Sequence, residues 1–260
     1  QNVFKILMDK GDIYPGEYSG YYCVPCEFFI PKNRIEQTTP VCPDCGRPVR
    51  VLTEKSYFFR LSRYEKPLLE YLSKKPEMIQ PSFKLEEVKN FILQGLTDLS
   101  ITRQTSSWGI ESPTPEKYAV YVWFDALLNY LTAADFKDGK PGEFWPVDVH
   151  LIGKDILRFH TIIWPAILMA LNIPLPEKIF AHGWWTMGNE KMSKSKGNIV
   201  NPLDLIARYG TDSFRYFLLR EVPFGLDGEY SEEKFIKRYN SDLANDLGNL
   251  VNRTINLVEK

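Results

Sequence analysis

Four cysteines form the most regular group of chemically reactive side chains in the sequence. The chain contains only these four, in two pairs: Cys23 with Cys26 and Cys42 with Cys45. Two residues between paired thiolates let both sulfurs reach one tetrahedral metal ion from a tight turn, and Gly46 permits the positive φ that such a turn needs. The spacing predicts a structural Zn²⁺ site, because four thiolates leave no coordination position open for a substrate. Two disulfides or inert buried thiols are the alternatives.

A cationic loop forms a second group of side chains that can do chemistry. Residues 188–198, which we call the lysine loop, are bounded by glycine and asparagine and carry Lys191, Lys194 and Lys196. This composition is typical of a surface loop. A solvated basic turn is the simplest interpretation. However, the string Lys-Met-Ser-Lys-Ser at 191–195 follows a predicted strand and precedes a predicted helix, and this context favours a functional motif.

The elements that position these groups follow an α/β pattern. Apolar runs at 118–124, 149–153 and 179–183 are each followed by a helical pattern, which predicts parallel strands joined by helices. Ligands of an open parallel sheet bind outside the carboxyl ends of its strands, so the residues after each run are candidates for binding. Farther along, 201–219 is predicted to be helical, and Ser231 before two glutamates predicts the start of another helix.

Composition and charge are those of an ordinary globular protein. Among 260 residues, 32 Lys and Arg balance 33 Asp and Glu, so no overall basic field attracts nucleic acid or anionic lipid. The longest apolar stretch, 162–175, contains prolines and is too short to span a bilayer, so no membrane segment is expected. Both ends of the sequence fall inside helical patterns, and we therefore expect it to be an excerpt of a longer chain.

The string in the lysine loop resembles the signature of class I aminoacyl-tRNA synthetases. Segments 121–130, 150–160 and 242–250 resemble the methionyl-tRNA synthetase family, and the resemblance covers nearly the whole chain. It implies ATP-dependent activation of methionine to methionyl-adenylate and transfer to tRNA(Met), with Mg²⁺ bound to ATP. The catalytic cations would be Lys194 and Lys191, because negative charge on the departing pyrophosphate must be stabilised most in the transition state.

One wall of a methionine pocket is expected on the helix after the first apolar run. We expect Asp125 to cap this helix, with Trp123 directly before it. The following side chains then share one helical face: Ala126, Leu127 and Tyr130. An unbranched thioether favours aromatic neighbours and accepts weak hydrogen bonds, which suits this composition. A stripe that belongs to the ordinary core is the alternative, and the resemblance favours the pocket.

The second wall is expected after the second apolar run. Asp155 lies at the strand end, and Ile156 and His160 are one helical turn apart. In the family, the acid that matches Asp155 helps to hold the ammonium group of the amino acid or the ribose of the nucleotide. The resemblance implies that ATP contacts Gly153, Asp155, His182, Gly183, Lys191, Met192, Ser193 and Lys194. Weaker candidates near the nucleotide or the active centre are Trp184, Trp185 and Arg103.

The resemblance divides the chain into five segments. The first three are the end of a nucleotide-binding half (1–12), a connective insertion with the zinc knuckle (13–81) and the second half of a Rossmann-like catalytic domain (82–185). The lysine loop with a linker (186–230) and the start of an anticodon-binding helical bundle (231–260) follow. No His-x-Gly-His string occurs, so the half of the active site that carries it is expected before Gln1. The expected fold class is α/β, with a Rossmann-like parallel sheet, a zinc-binding insertion and the start of a helical bundle.

Two other functions stay open. Another class I synthetase, specific for leucine, isoleucine, valine or cysteine, is the runner-up. A catalytically silent paralogue could instead keep the fold and the zinc site to bind RNA, although the balanced charge argues mildly against a dedicated binder. The sequence predicts a cytoplasmic protein, with an organellar form also compatible, and it does not predict an oligomeric state.

Overall fold

The chain forms two compact units. The computed structural model describes the chain except residues 24–27, 31–39, 43–45, 105–107, 189, 193–196 and 260, and it gives only the backbone path of 28–30. The first unit comprises residues 1–78, 82–149 and 158–178, and the second comprises 79–81, 150–157 and 179–260. Each unit is therefore built from segments that are distant in sequence.

Most strands are short, apart from two long ones in the first unit. In chain order the strands are β1 (Ile13–Cys23), β2 (Phe28–Ile30), β3 (Arg50–Phe59), β4 (Ile79–Gln80), β5 (Leu99–Ser100), β6 (Thr102–Arg103), β7 (Ala119–Val120), β8 (Val149–Gly153), β9 (Lys178–His182), β10 (Trp185–Met187), β11 (Glu190–Lys191) and β12 (Gly228–Glu229). The α-helices are α1 (Asn2–Asp9), α2 (Glu65–Lys74), α3 (Phe83–Leu93), α4 (Val122–Ala133), α5 (Trp164–Leu171), α6 (Pro202–Tyr209), α7 (Thr211–Arg220), α8 (Glu232–Arg238) and α9 (Gly248–Val258). Segments Phe159–Ile163 and Tyr239–Leu247 are π-helical, and Leu61–Tyr64, Pro76–Met78 and Lys154–Ile156 are 3₁₀ turns.

The first unit is organised around an antiparallel sheet and an aromatic core. The sheet order is β2-β1-β3-β5, and each neighbouring pair is antiparallel. Helix α1 buries Val3, Phe4 and Leu7, which confirms the amphipathic helix predicted for the first residues. The ring of Phe4 packs edge-on against that of Phe124, with centroids 6.1 Å apart, and this contact joins α1 to α4.

The parallel strand predicted at 118–124 is a strand only at its start, and its pairing is not parallel. β7 pairs antiparallel with β6 over Ala119 and Val120, and α4 then begins at Val122. The buried side chains of α4 recur at helical spacing: Phe124, Leu127 and Leu131. An apolar run of this length is compatible with a strand or with a helix, and packing against the core selects the helix.

The start of α4 corrects the role predicted for Asp125. Tyr121 occupies the N-cap position and Asp125 lies within the first turn, so the prediction that Asp125 caps this helix is wrong. Its carboxylate still suits the positive end of the helix dipole. Trp123 is part of the helix rather than directly before it. Helical periodicity therefore places Trp123 on the same face as Ala126 and Tyr130.

The second unit contains the parallel strands that the sequence predicts. β4 and β9 pair in parallel, with Ile79 opposite Ile179, and β8 is the neighbour of β9 on its other side. The bounds of β8 and β9 agree with the apolar runs predicted at 149–153 and 179–183 to within one residue. The α/β class is thereby confirmed. β10 pairs antiparallel with β11 and in parallel with β12.

Helices α6, α7 and α8 lie where the sequence predicts helices, with one interruption. Asn201 Oδ1 accepts a backbone hydrogen bond at 3.1 Å and Ser231 Oγ accepts one at 3.2 Å, so both residues are N-caps. The single helix predicted at 201–219 is divided in two. Gly210 has a φ of 84° and separates α6 from α7, because that conformation cannot continue a helix.

From Glu232 to Val258 the chain is helical, through α8, the second π-helical segment and α9. The helical spacing predicted for this region is confirmed. The apolar face that it produces is exposed at Leu250, Ile255 and Val258. Within the part of the chain that the structure describes, no helix is long and apolar enough to cross a membrane.

Candidate functional site

Two of the four predicted zinc ligands come together in the first unit. Cys23 and Cys42 are both buried and pack together with Tyr21 and Val49. The backbone N–H of Gly46 donates to the Cys42 carbonyl oxygen at 2.8 Å. Gly46 has a φ of 69°, the positive value that the sequence predicts. Two buried thiol groups that pack together fit the donor set of a zinc site.

The other two predicted ligands, Cys26 and Cys45, lie outside the described residues. Among the residues whose placement is described, no group of three or more His, Cys, Asp or Glu side chains is arranged to hold a metal ion. The Zn²⁺ site therefore stays a prediction, and the placement of Cys23 and Cys42 supports it.

Helix α4 and the first π-helical segment form an aromatic cluster within the first unit. The Trp123 ring stacks on Phe159, with centroids 3.9 Å apart and planes inclined by 16°. Tyr130 Oη lies 2.8 Å from His160 Nε2, within hydrogen-bond distance. Trp164 packs beside Tyr130, with ring centroids 5.8 Å apart. The structure thus brings together three of the residues that the resemblance assigned to methionine, and it adds Phe159 and Trp164.

The side chains of this aromatic cluster and its neighbours differ in how deeply they are buried. His160 and Leu127 are 2% and 1% exposed, whereas Trp123, Ala126 and Tyr130 are half-buried. Burial raises the pKa of the Tyr130 hydroxyl above its ordinary value, so this hydroxyl stays protonated at neutral pH. The proton can be donated to His160 Nε2, which orients the imidazole. A half-buried aromatic face supported by buried side chains can bind a small apolar group.

Two candidate residues of the second unit, Asp155 and Lys191, contact Trp184, which directly precedes β10. The Trp184 Nε1–H donates to Asp155 Oδ1 at 3.3 Å, and its backbone N–H donates to Asp227 Oδ1 at 2.9 Å. Asp227 also forms an ion pair with Lys154. Ile156 is half-buried in the same 3₁₀ turn as Lys154 and Asp155. Sequence reasoning missed Lys154 and Asp227, although Lys154 stands inside a segment that carries the resemblance.

Of the glycines at two strand ends, Gly183 meets a fixed backbone atom and Gly153 meets only the end of a movable side chain. A Cβ atom on Gly153 would lie 2.6 Å from Asp155 Oδ1, and one on Gly183 would lie 2.1 Å from the Leu226 carbonyl oxygen. His182 is exposed, and its Nδ1 donates to the Gly183 carbonyl oxygen at 2.8 Å. The close approach at Gly183 is therefore made by the chain's own backbone. Nucleotide contacts of these residues stay predictions.

The lysine loop begins beside Trp184. Lys191 lies in β11, and its Nζ is 4.1 Å from the centroid of the Trp184 ring. The Asn198 side chain donates to the Lys191 carbonyl oxygen at 3.2 Å and closes the base of the loop. Met192 follows Lys191 in sequence and Trp185 follows Trp184. Both side chains pack on the buried side chains of α6, α7 and α8. The candidates that lie outside the described residues are Ser193 and Lys194.

Comparison with known families decides where this chain belongs. The family model described as "tRNA synthetases class I (M)" matches residues 1–255. The chain belongs to the class I tRNA synthetase family. Relatives named methionine–tRNA ligase in Caldanaerobacter subterraneus subsp. tengcongensis, Fusobacterium nucleatum subsp. nucleatum and Bacillus subtilis are 55%, 53% and 50% identical to it. Each match covers 100% of this chain and 41% of the relative, so the chain spans less than half the length of these synthetases.

Solved structures of class I tRNA synthetases share this fold. The Mycobacterium tuberculosis methionyl-tRNA synthetase in complex with methionyl-adenylate matches with a TM-score of 0.90 at 46% identity, covering 99% of this chain and 52% of that chain. The apo form of the M. tuberculosis protein matches with a TM-score of 0.86 at 43% identity, covering 99% and 51%. The α/β fold predicted from the sequence is thus confirmed as the fold of a class I tRNA synthetase.

The weaker candidate Arg103 lies in a polar network within the first unit of this synthetase chain. Its Nη1 donates to Ser100 Oγ at 2.9 Å and to the Thr102 carbonyl oxygen at 2.8 Å. The guanidinium carbon lies 4.3 Å from the centroid of the Tyr121 ring. Burial lowers the pKa of Arg103, and the negative charge of Glu54 is among the groups that oppose this shift. The structure therefore holds Arg103 firmly in place.

Glu54 is a buried acid that sequence reasoning missed. It is 4% exposed, and neither of its carboxylate oxygens accepts a hydrogen bond of ordinary geometry from the described residues. Burial raises the pKa of Glu54, although the charge of Arg103 and the backbone N–H of Gln104 oppose that rise. A raised pKa means that the folded protein binds this proton more tightly than the unfolded chain does. The contribution of this bound proton to the stability of the fold is complete below the ordinary pKa of 4.5. It is lost as the pH rises through the raised pKa.

Glu54→Gln is therefore expected to stabilise the full-length synthetase at neutral pH. Glutamine keeps the shape of the protonated acid and avoids the cost of a buried carboxylate. The unfolding temperature should rise by about 1–4 °C at neutral pH. The difference from the wild-type protein should vanish below pH 4.5, the ordinary pKa of the group. Thermal unfolding measured across this pH range checks both expectations.

Glu116→Gln is the control of opposite sign. Glu116 is exposed, and its pKa is lowered by a hydrogen bond from its own backbone N–H and by one from the Tyr57 hydroxyl at 3.0 Å. A lowered pKa stabilises the fold above the ordinary pKa of 4.5, so this substitution should lower the unfolding temperature only there. Destabilisation by Glu54→Gln at neutral pH would contradict the account of Glu54.

Proposed function

We propose that the full-length protein is a methionine–tRNA ligase. It would activate L-methionine with ATP to methionyl-adenylate and transfer the methionyl group to tRNA(Met). The observation that carries the proposal is the likeness to M. tuberculosis methionyl-tRNA synthetase bound to methionyl-adenylate, over 99% of this chain at 46% identity. Relatives named methionine–tRNA ligase, at 50–55% identity, support the same activity.

Within the first unit, we assign the methionine side chain to the aromatic cluster of α4. Trp123, Ala126 and Tyr130 offer half-buried surface, and Leu127 lies buried beneath it. A thioether sulfur is polarizable and favours contact with aromatic rings. The contact between Tyr130 and His160 at 2.8 Å fixes both rings, so this surface is preorganised before a ligand arrives.

The roles assigned to the second unit rest on the resemblance and on chemical type. Asp155 is exposed, and a carboxylate suits the ammonium group of an amino acid or the hydroxyls of a ribose. Ile156 supplies apolar surface to the amino acid. The residues assigned to ATP at the strand ends and in the lysine loop are Gly153, His182, Gly183, Met192 and Ser193.

The activation step joins the methionine carboxylate to the α-phosphorus of ATP and releases pyrophosphate. Negative charge on the leaving group is greatest as the bond to the α-phosphorus breaks, so a cation placed there lowers the barrier. We assign this role to Lys194, and we assign to Lys191 the positioning of the loop and the nucleotide. Mg²⁺ bound with ATP would neutralise part of the charge on the phosphates.

Two further parts of the proposal concern the frame around these residues. The four cysteines of the insertion would hold one structural Zn²⁺, and the buried pair of Cys23 and Cys42 supports this assignment. The helices that follow Ser231 would begin an anticodon-binding bundle. The exposed apolar side chains of α9 support this, because such a stripe is typical of a helix that packs against another element.

Amino-acid-dependent ATP–pyrophosphate exchange by the full-length protein tests the proposal. Methionine should support exchange, and leucine, isoleucine, valine and cysteine should be poorer by at least about tenfold, the discrimination that an apolar pocket can supply. Preference for another amino acid would identify another class I synthetase. Binding of tRNA without exchange for any amino acid would identify the silent RNA-binding paralogue. Transfer of labelled methionine to tRNA(Met) completes the test.

A further inference from the structure

We propose that Trp184 is a positioning residue for the lysine loop, and that its indole face holds the ammonium group of Lys191 ready for phosphate. The inference rests on the proposed function for the nature of the substrate, and it adds a residue to the activation machinery. It follows from contacts that all lie within the second unit.

The Trp184 side chain has a fixed orientation. Its backbone N–H donates to Asp227 Oδ1 at 2.9 Å, and its carbonyl oxygen accepts the N–H of Gly228 at 2.8 Å. At the other end of the residue, the indole N–H donates to Asp155 Oδ1 at 3.3 Å. Because both ends of the residue are held, the ring offers a rigid face to its neighbours.

Two ammonium groups lie against this ring. Lys154 Nζ and Lys191 Nζ are each 4.1 Å from its centroid, within the range of a cation–π interaction. Lys154 is also paired with Asp227, which balances its charge and anchors its side chain. Among the described residues, Lys191 has no carboxylate partner. The indole face is therefore the contact that holds the Lys191 ammonium group.

The β10–β11 hairpin explains why Lys191 reaches the ring. Thr186 is directly opposite Lys191 in this antiparallel pair. Side chains two residues apart along an extended chain point to the same side, so Trp184 lies on the side of Thr186 and becomes the diagonal neighbour of Lys191. A diagonal neighbour is within reach of a long side chain. The register of the hairpin thus sets the start of the lysine loop beside the indole.

An ammonium group that rests on a ring is well prepared to bind an anion. An ion pair with a carboxylate would have to be broken before Lys191 could contact a phosphate, whereas a cation–π contact leaves N–H groups directed away from the ring. The ring also restricts the flexible lysine side chain, so less conformational freedom is lost when ATP binds. Trp184 should therefore affect the use of ATP much more than the use of methionine.

A double-mutant cycle in the full-length protein tests this role. Trp184→Leu should lower kcat/KM for ATP in methionine-dependent exchange by about 3- to 30-fold, whereas Trp184→Phe keeps an aromatic face and should recover most of the loss. The KM for methionine should change less than kcat/KM for ATP, and by the same factor in both variants, because each removes the indole N–H that donates to Asp155 Oδ1. In a Lys191→Met background, Trp184→Leu should have a clearly smaller effect than in the wild-type background, because the ring no longer holds the Lys191 ammonium group and only its contacts with Lys154 and Asp155 are lost. An equal loss in both backgrounds would overturn the proposal.

A ligand-free measurement separates this inference from the proposed function. In protein with ¹⁵N-labelled tryptophan, the Trp184 indole cross-peak is identified by its absence from the Trp184→Phe spectrum. It should shift in Lys191→Met and stay in place in Lys178→Met, a matched substitution of an exposed lysine. An unmoved cross-peak in Lys191→Met overturns the contact whether or not exchange occurs. If the cross-peak shifts in Lys191→Met but the wild-type protein shows no exchange activity, the contact is supported and the proposed function is rejected.

Discussion

In the full-length protein, Lys194→Ala is expected to lower the rate of methionine-dependent ATP–pyrophosphate exchange by about 10² to 10³. The pyrophosphate gains negative charge as its bond to the α-phosphorus breaks. A loop cation that meets this charge in the transition state contributes to kcat more than to substrate binding. The KM for methionine should therefore change little. Exchange at saturating ATP and methionine, together with single-turnover formation of methionyl-adenylate, measures the loss.

Lys196→Ala is the matched control, because it removes the same charge from the same loop two residues farther along. A charge that meets no developing charge in the transition state contributes about 0–1 kcal/mol, so this control should lose less than about fivefold in rate. Near-normal exchange by Lys194→Ala would refute the role of Lys194. Equal large losses in both variants would instead assign the effect to the total charge of the loop.

The parallel strands of the second unit could be predicted because their signals are local. β8 and β9 are short apolar segments of five residues each, and each ends close to a glycine. The N-cap at Ser231 is equally local, since a hydroxyl followed by two glutamates stabilises a helix start whatever lies beyond it. Such features need no knowledge of distant contacts, and the structure confirms them.

The start of α4 could not be predicted in this way. Residues 118–124 are largely apolar, so the sequence shows neither the two-residue period of a half-buried strand nor the longer period of a helix. The choice is made by long-range packing. The ring of Phe124 lies 6.1 Å from that of Phe4 and 6.4 Å from that of Phe59, and both partners are distant in sequence. The wrong cap at Asp125 follows from the same cause.

The candidate site was predictable only in part. Trp123 and Tyr130 are seven residues apart, a spacing that keeps two side chains on one helical face. The contact of Tyr130 with His160 spans 30 residues, and the stacking of Phe159 depends on π-helical geometry that no sequence signal indicated. The hydrogen bond from Trp184 to Asp227 joins residues 43 positions apart, so no local sequence pattern could predict this contact.

The burial of Glu54 could not be predicted from the local sequence either. An acidic residue in a strand is ordinarily expected on the solvent face. In the structure, Glu54 is opposite Tyr18 in the β1–β3 pair, and Arg103 from a later part of the chain supplies the nearby positive charge. The burial of this acid is therefore a property of the tertiary structure, and the strand pattern alone does not reveal it.

Cys42→Ser is expected to remove a zinc ion from the full-length protein and to destabilise it. A structural site needs four donors, and a serine hydroxyl does not replace a thiolate, so the zinc content should fall by about one equivalent. The free energy of metal binding contributes to folding, and each kcal/mol lost should lower the unfolding temperature by about 2–4 °C. Elemental analysis by mass spectrometry and thermal unfolding measure the two effects.

Val49→Ala is the matched control for this substitution. Val49 packs against Cys23 and Cys42, so its truncation disturbs the same cluster without removing a thiolate. It should lower the unfolding temperature and retain the zinc. Alkylation in denaturant and chelator, without reductant, separates a zinc site from disulfides, because thiolates released from zinc react and disulfide sulfurs do not. Full zinc content in Cys42→Ser would show that the metal is bound elsewhere. Cysteines that stay unlabelled in the wild-type protein would show that they form disulfides and not a zinc site.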